Sequence, residues 1–179
     1  MRAAAVLILL AGRAAAEGPP RHHVNFRAGA TGDDLGARDE LCLEVAPIAA
    51  LSLEGCGNGS GFLHTEPVAE LAHFRAKLRV ASWATRGVRV EPQVALGFAE
   101  LQLGEDAPGF DFGGTDAARG STAGPEAGLW LRALVPLDGG FEGVAAIGVS
   151  LAYLAHADAL VRPQPAVQPS LGGTFGLSF

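Results

Sequence analysis

The stretch "LAHFRAKLRVASW" (residues 71–83) decides the fold, because its side chains alternate in character at every second position. Apolar residues alternate with basic ones: Ala72, Phe74, Ala76, Leu78 and Val80 against His73, Arg75, Lys77 and Arg79. A helix would scatter the four basic side chains around its axis, whereas a strand places them on one face. Because unpaired buried charge is costly, that face cannot lie against an ordinary hydrophobic core. The stretch therefore predicts a β-strand with one apolar and one basic face.

The same period of two recurs along most of the chain, which has little helical periodicity. Six further stretches show it: "HVNFRAGA" (23–30), "ELCLEVAPIAALSLEGC" (40–56), "VRVEPQVALGF" (88–98), "EAGLWLRALV" (126–135), "FEGVAAIGVSLAYL" (141–154) and "VQPSLGGTFGLSF" (167–179). The second of these is too long for one average strand, so we expect it to fold back on itself near Ala49. That hairpin would pair Glu44 with Glu54 and Cys42 with Cys56. Counting it as two strands gives eight.

The predicted connections alternate in length along the chain. Short ones fall at 48–50, 85–87 and 137–140, and long polar ones fall at 31–40, 57–70, 104–125 and 156–165. An even strand number, with short turns at one end and long loops at the other, is typical of an up-and-down barrel of the outer-membrane type.

The first segment, "MRAAAVLILLAGRAAAEGPP", has the layout of a secretory signal peptide. Arg2 precedes an apolar run, and Ala14–Ala16 supply a small-residue cleavage site before Glu17. We therefore predict a signal peptide at 1–16 and one barrel domain at 17–179, with a buried N-terminal helix as the alternative. Beyond it, no apolar run approaches the roughly 20 residues of a membrane-spanning helix.

Charge and patterning restrict the function further. The formal net charge of −6 gives no electrostatic basis for nucleic-acid binding. A soluble barrel buries its apolar face, whereas a membrane barrel turns that face to lipid and encloses its polar face. The even strand count and a polar face rich in glycine, alanine and charge favour the membrane arrangement.

The last residues, "GGTFGLSF", place Phe175, Leu177 and Phe179 on one strand face. This ending resembles the C-terminal strand of bacterial outer-membrane barrels, and the whole layout resembles small eight-stranded barrels of the OmpA/OmpX type. The resemblance implies that Phe175, Leu177 and Phe179 form a signal read by the barrel-assembly machinery. It also implies a location in the bacterial outer membrane, in contact with its lipid.

The polar face would line the lumen of such a barrel with a network of opposite charges. The residues predicted there are Arg27, Glu44, Glu54, His73, Arg75, Lys77, Arg79, Arg89, Glu91, Arg132 and Glu142. An eight-stranded barrel is just wide enough for side chains, so we expect ion pairs that plug the lumen. A gated ion path, in which the pairs exchange partners, is the alternative.

Two further groups of residues could carry chemistry. Because Cys42 and Cys56 belong to an exported chain, we expect a disulfide between them rather than free thiols or metal ligands. Ser60, His64 and Glu66 are the residue types of a hydrolytic triad, and some small outer-membrane barrels modify lipids. Three polar residues close together in a glycine-rich loop are commonplace, however, and a triad is defined by geometry.

The sequence thus predicts an all-β, eight-stranded antiparallel up-and-down transmembrane barrel. We expect it to be monomeric and to bind no metal, cofactor or nucleic acid. Its expected role is structural or surface-interacting rather than enzymatic. A narrow gated channel, a lipid-modifying hydrolase and a soluble periplasmic ligand-binding barrel are the alternatives.

Overall fold

The structure is a computed structural model that describes residues 23–59, 69–103 and 120–179. The described strands are β1 (Val24–Asp33), β2 (Gly36–Ile48), β3 (Leu51–Gly57), β4 (Glu70–Arg79), β5 (Trp83–Thr85), β6 (Val88–Gln102), β7 (Ser121–Pro136), β8 (Glu142–Tyr153) and β9 (Val167–Ser178). Two short 3-10 helices lie at Asp138–Gly140 and Ala157–Ala159. The predicted signal peptide at 1–16 lies outside the described residues.

The strands form one closed antiparallel sheet. Neighbours follow the order β4-β3-β2-β1-β9-β8-β7-β6-β5, and pairing of β4 with β6 closes the ring. β5 continues β4 after a break at 80–82, opposite Pro92 of β6. Pro92 has no N–H to donate to the strand beside it, and its carbonyl accepts from the Val80 amide at 3.0 Å, so the β4–β5 side of the ladder is interrupted there. β4 and β5 therefore count as one barrel strand, and the predicted eight-stranded antiparallel barrel is confirmed.

The strand register fixes the size of the barrel. When Cα partners are followed once around the ring from Arg89 of β6, the path returns to β6 at Ala99, ten residues further along. With eight strands, this stagger gives a strand tilt of about 40° and a backbone cylinder of about 8 Å radius. A lumen of that size is filled by the side chains that point into it.

Side chains alternate between the two sides of this wall as the sequence predicts. On β8 the odd-numbered Ile147, Val149 and Leu151 are 50–57% exposed on the outside, while Ala146 and Ser150 are buried inside. The same alternation holds in β3, in β9 and in β2 from Glu40 onwards, and Phe175 on β9 is 71% exposed. The structure therefore has an apolar outer surface and a polar interior.

The folded-back hairpin is confirmed in its register. Cys42 pairs with Cys56 and Glu44 with Glu54 across β2 and β3. The two cysteines form the predicted disulfide, which closes a loop with a sequence separation of 14. In the chain-entropy account, a loop of this size is worth about 3 kcal/mol of stability.

The predicted long connection at 31–40 is wrong. β1 and β2 extend through it and leave a two-residue turn, in which the Leu35 amide donates to Asp33. Arg38 of β2 forms an ion pair with Asp33, and Gly36 takes a positive φ of 107°. The polar composition that suggested a loop belongs to strand residues at the barrel rim.

Two ends of the barrel can be distinguished. The short-turn end carries the turns at 49–50, 86–87 and 138–140 together with the start of β1 and the end of β9, and the loop end carries the other connections. None of the helices in the described residues has the length and apolar character that crossing a membrane requires.

Trp130 is the bulkiest side chain inside the barrel and lies against a glycine of the next strand. A Cβ added to Gly148 would lie 2.6 Å from both Trp130 Cε3 and the Leu129 carbonyl oxygen. Real Cβ atoms do not approach so closely, so Gly148 provides the space that the indole occupies.

Replacing Gly148 with alanine should therefore destabilise the barrel by about 1–3 kcal/mol through overpacking. The matched control is Gly173→Ala on the outer face, where an added Cβ meets nothing within 4 Å. Urea unfolding in detergent micelles, followed by tryptophan fluorescence, measures both. Equal midpoints for the two variants would contradict the packing described.

Candidate functional site

The centre of the lumen is an anion surrounded by cations. Glu54 of β3 accepts from Lys77, from Arg27 and, at 3.2 Å, from Arg75. Arg75 is its direct register partner on β4, Lys77 lies two residues further on, and Arg27 reaches it from β1. All four residues are at most 4% exposed. The alternation of the three strands thus brings opposite charges together in the buried interior.

A second group extends the network towards the short-turn end. Glu44 contacts Arg27 at 2.8 Å and also contacts Arg132. Arg132 in turn lies 2.6 Å from Glu91. Glu91 also forms ion pairs with Arg79 and Arg89, each at 3.0 Å. Arg89 forms a second ion pair, with Glu142, at 2.9 Å. The structure thus joins the predicted arginine, lysine and glutamate residues of the lumen into ion pairs.

Exposure rises along this network in one direction. The side chains of Arg27, Lys77 and Glu54 are fully buried, whereas that of Arg79 is 12% exposed and that of Arg89 is 30% exposed. Breaking a buried pair leaves an uncompensated charge and is strongly destabilising, whereas an exposed pair is worth little. The rigid part of the network is therefore its centre.

The sequence analysis missed Glu126 of β7. Its Oε1 lies 2.9 Å from Nη2 of Arg75 and 2.9 Å from Nδ1 of His73. Trp130 lies four residues after Glu126, on the same inward face of β7. Its ring centroid is 4.3 Å from Lys77 Nζ and 4.7 Å from the guanidinium carbon of Arg75. Glu126 is the first residue of the alternating stretch 126–135 and shares its even positions with Trp130 and Arg132, so the alternation itself places it on the inner face.

The loop end of the lumen is closed by an apolar cap, which the sequence analysis also missed. The cap consists of buried Leu71, Ala99, Leu101, Leu103, Ala152, Leu154, Ala157 and Leu160. Leu71 and Leu101 continue the inward faces of β4 and β6, while Ala157 belongs to the 3-10 helix between β8 and β9. Charged residues therefore fill the middle of the lumen and its short-turn end, and apolar residues close its loop end.

Glu40 is a further buried carboxyl group that the sequence did not single out. It is 2% exposed and has neither an ion pair nor a hydrogen bond within the ranges that the structure describes. One carboxylate oxygen lies within 4.8 Å of the sulfur atoms of Cys42 and Cys56. Both sulfurs are used in the disulfide, so these three residues do not make a metal site in this state.

Two of the predicted sites are not decided by this geometry. Ser60, His64 and Glu66 lie outside the described residues. Phe175, Leu177 and Phe179 are exposed on the outside of the barrel, and the Phe179 amide donates to the Val24 carbonyl at 2.9 Å. Their role as an assembly signal stays a prediction.

Comparison with known proteins shows the same architecture in two solved structures. The N-terminal β-barrel domain of Pseudomonas aeruginosa OprF matches with a TM-score of 0.51 and 13% identity, over 91% of this chain and 100% of that one. Neisserial surface protein A (NspA) matches with a TM-score of 0.52 and 15% identity, over 90% of this chain and 98% of that one. No protein-family description and no curated protein matches the sequence. At these identities the likeness establishes the fold alone.

Glu54→Gln should destabilise the barrel by about 3–5 kcal/mol, because it leaves Arg27, Arg75 and Lys77 buried with too few anions. Asp138→Asn removes an exposed carboxylate from a turn and should change stability by less than about 0.5 kcal/mol. Urea midpoints in micelles measure both. A Glu54→Gln midpoint as high as that of Asp138→Asn would show that the central network contributes little.

Proposed function

We propose that this chain is a monomeric barrel of the bacterial outer membrane, with a structural or surface-interaction role and a plugged lumen. The observation that carries the proposal is the distribution of side chains across the barrel wall, which has apolar residues outside and charged residues inside. Leu96, Ile147 and Phe175 are 57–71% exposed outside, while Arg27, Lys77 and Glu44 are completely buried inside. In water this arrangement would expose a continuous apolar belt, whereas in a bilayer the belt contacts lipid and the strands satisfy their own backbone groups.

The height of the belt fits a bilayer. Phe141 lies directly before β8 and Tyr153 is its last residue, and both are exposed. They are twelve residues apart along the chain. With strands tilted by about 40° from the barrel axis, this corresponds to a height of about 30 Å along that axis. Membrane barrels carry an apolar band about 25 Å tall with aromatic residues at both borders. Short turns face the periplasm in such barrels, so we assign that side to the short-turn end.

The sealed lumen favours a structural role over a gated channel. An ion path would require the Glu54 pairs to separate and the apolar cap to open at the same time. The connections at the loop end are then the surface available to partners, and one of the two similar barrels is named a surface protein. The proposed partners are outer-membrane lipid and the barrel-assembly machinery, which would read Phe175, Leu177 and Phe179.

Cell fractionation tests the location. The chain should sediment with the outer membrane and resist extraction by salt. It should also migrate differently on gels before and after boiling, because a closed barrel resists detergent unfolding. Recovery in the soluble periplasmic fraction would overturn the proposal in favour of a soluble ligand-binding barrel. Lipid hydrolysis lost on Ser60→Ala or His64→Ala would favour the hydrolase.

Purified barrel in planar bilayers should show no conductance above that of protein-free bilayers. The expectation follows from the buried central pairs and the cap, which leave no water-filled path. Leu101→Ser, which places a hydroxyl in the cap, should leave the ion pairs blocking the lumen and remain silent. Stepwise currents from the unmodified chain would contradict the plugged lumen and support the gated channel.

A further inference from the structure

The disulfide lies in the wall of the barrel and is almost completely buried. Cys42 is 1% exposed and Cys56 is 5% exposed, and both sulfur atoms point into the lumen with the other even-numbered residues of β2 and β3. Glu40 lies beside them, and His73 is the register partner of Cys56 on β4. The charged network fills the space towards the short-turn end, and the apolar cap closes the loop end.

The chemistry that makes a disulfide needs more room than this. A protein thiolate attacks one sulfur of an external disulfide and forms a mixed disulfide, which the second protein thiol then resolves. The oxidant's S–S bond breaks, the Cys42–Cys56 bond forms, and two oxidant thiols leave with the two protons. The mixed intermediate carries the oxidant's own substituent on Cys42 or Cys56. A lumen of about 8 Å backbone radius, already occupied by Glu40, His73 and Trp130, cannot hold that substituent.

We propose that the Cys42–Cys56 bridge forms while the barrel is still open, by exchange with an external disulfide oxidant, and is then enclosed when the ring of strands closes. The oxidation is thus the reaction that precedes barrel closure, and its substrate is the unfolded or partly folded chain. The inference depends on the closed barrel and on the position of the two cysteines. It does not depend on which membrane the barrel occupies.

This order of events gives the bridge a role in register. Joining Cys42 to Cys56 also aligns Glu44 with Glu54, so both carboxylates face the future lumen. A slip of one residue would turn the carboxylates of one strand to the outer face. The bridged β2–β3 hairpin therefore enters assembly with the anions of the central network already on one side.

The test compares bridge formation in the unfolded and folded states of the reduced full-length chain. One sample is oxidised with glutathione disulfide in urea, and a second is first folded into detergent micelles under a phosphine reductant and then given the same oxidant. Acid quenching, maleimide labelling of free thiols and intact mass give the rates. We expect the folded sample to form the bridge at least 100-fold more slowly, whereas similar rates in the two samples would overturn the proposal.

The control is a chain with both native cysteines replaced by serine and with Ala84→Cys on the exposed β5, which should react equally fast with the oxidant in both states. Barrel formation by the reduced native chain is checked first, by its gel mobility before boiling, and the two rates are compared only when the barrel has formed. Failure to form it would support the proposal, since closure would then require the bridge. A reverse experiment needs no reduced barrel: the phosphine should cleave the bridge in urea within minutes and leave the folded, oxidised barrel intact. Rapid reduction of the folded barrel would show that reagents reach the sulfurs and would overturn the enclosure.

Discussion

The contact of Glu54 with Arg27, Arg75 and Lys77 is the interaction on which the rest of this structure depends. Three cations from two strands converge on one carboxylate, and all four side chains are buried. Such charges are tolerated only when each finds a partner, so the register of β1, β3 and β4 is specified together. The same requirement explains why the polar faces of all strands point to one axis. The apolar faces are left outside, which is the arrangement that a bilayer accepts.

The division of the interior explains how one narrow barrel can be both charged and closed. Ion pairs occupy the middle and the short-turn end, where Arg89 retains contact with solvent. Leu71, Leu101 and Leu154 occupy the loop end, where they pack together in the apolar cap. Trp130 lies within the charged region and offers its ring face to Lys77 and Arg75, so it contributes both volume and cation–π attraction.

Much of this fold follows from the sequence because a period of two is a local signal. The faces of β4 and β8, and the register that places Cys42 beside Cys56, were all predicted from spacing alone. The errors arise where tertiary contacts override local composition. Residues 31–40 read as a polar loop, yet they form strands because the Asp33–Arg38 pair and a two-residue turn satisfy them. The cap was missed because Ala157 and Leu160 join it from a connection without strand periodicity.

The most direct measurement of the central claim is the accessibility of nitroxide labels along β8 in lipid vesicles. Single labelled cysteines at Ala145, Ile147, Val149 and Leu151 should collide frequently with oxygen, which dissolves in the bilayer, and rarely with a neutral nickel chelate, which stays in water. A label at Asp138, exposed in the turn after β7, should show the reverse preference. Frequent collisions of the odd-numbered β8 labels with the nickel chelate, or the same preference at β8 and at Asp138, would contradict an apolar wall that faces lipid around a closed, ion-paired interior.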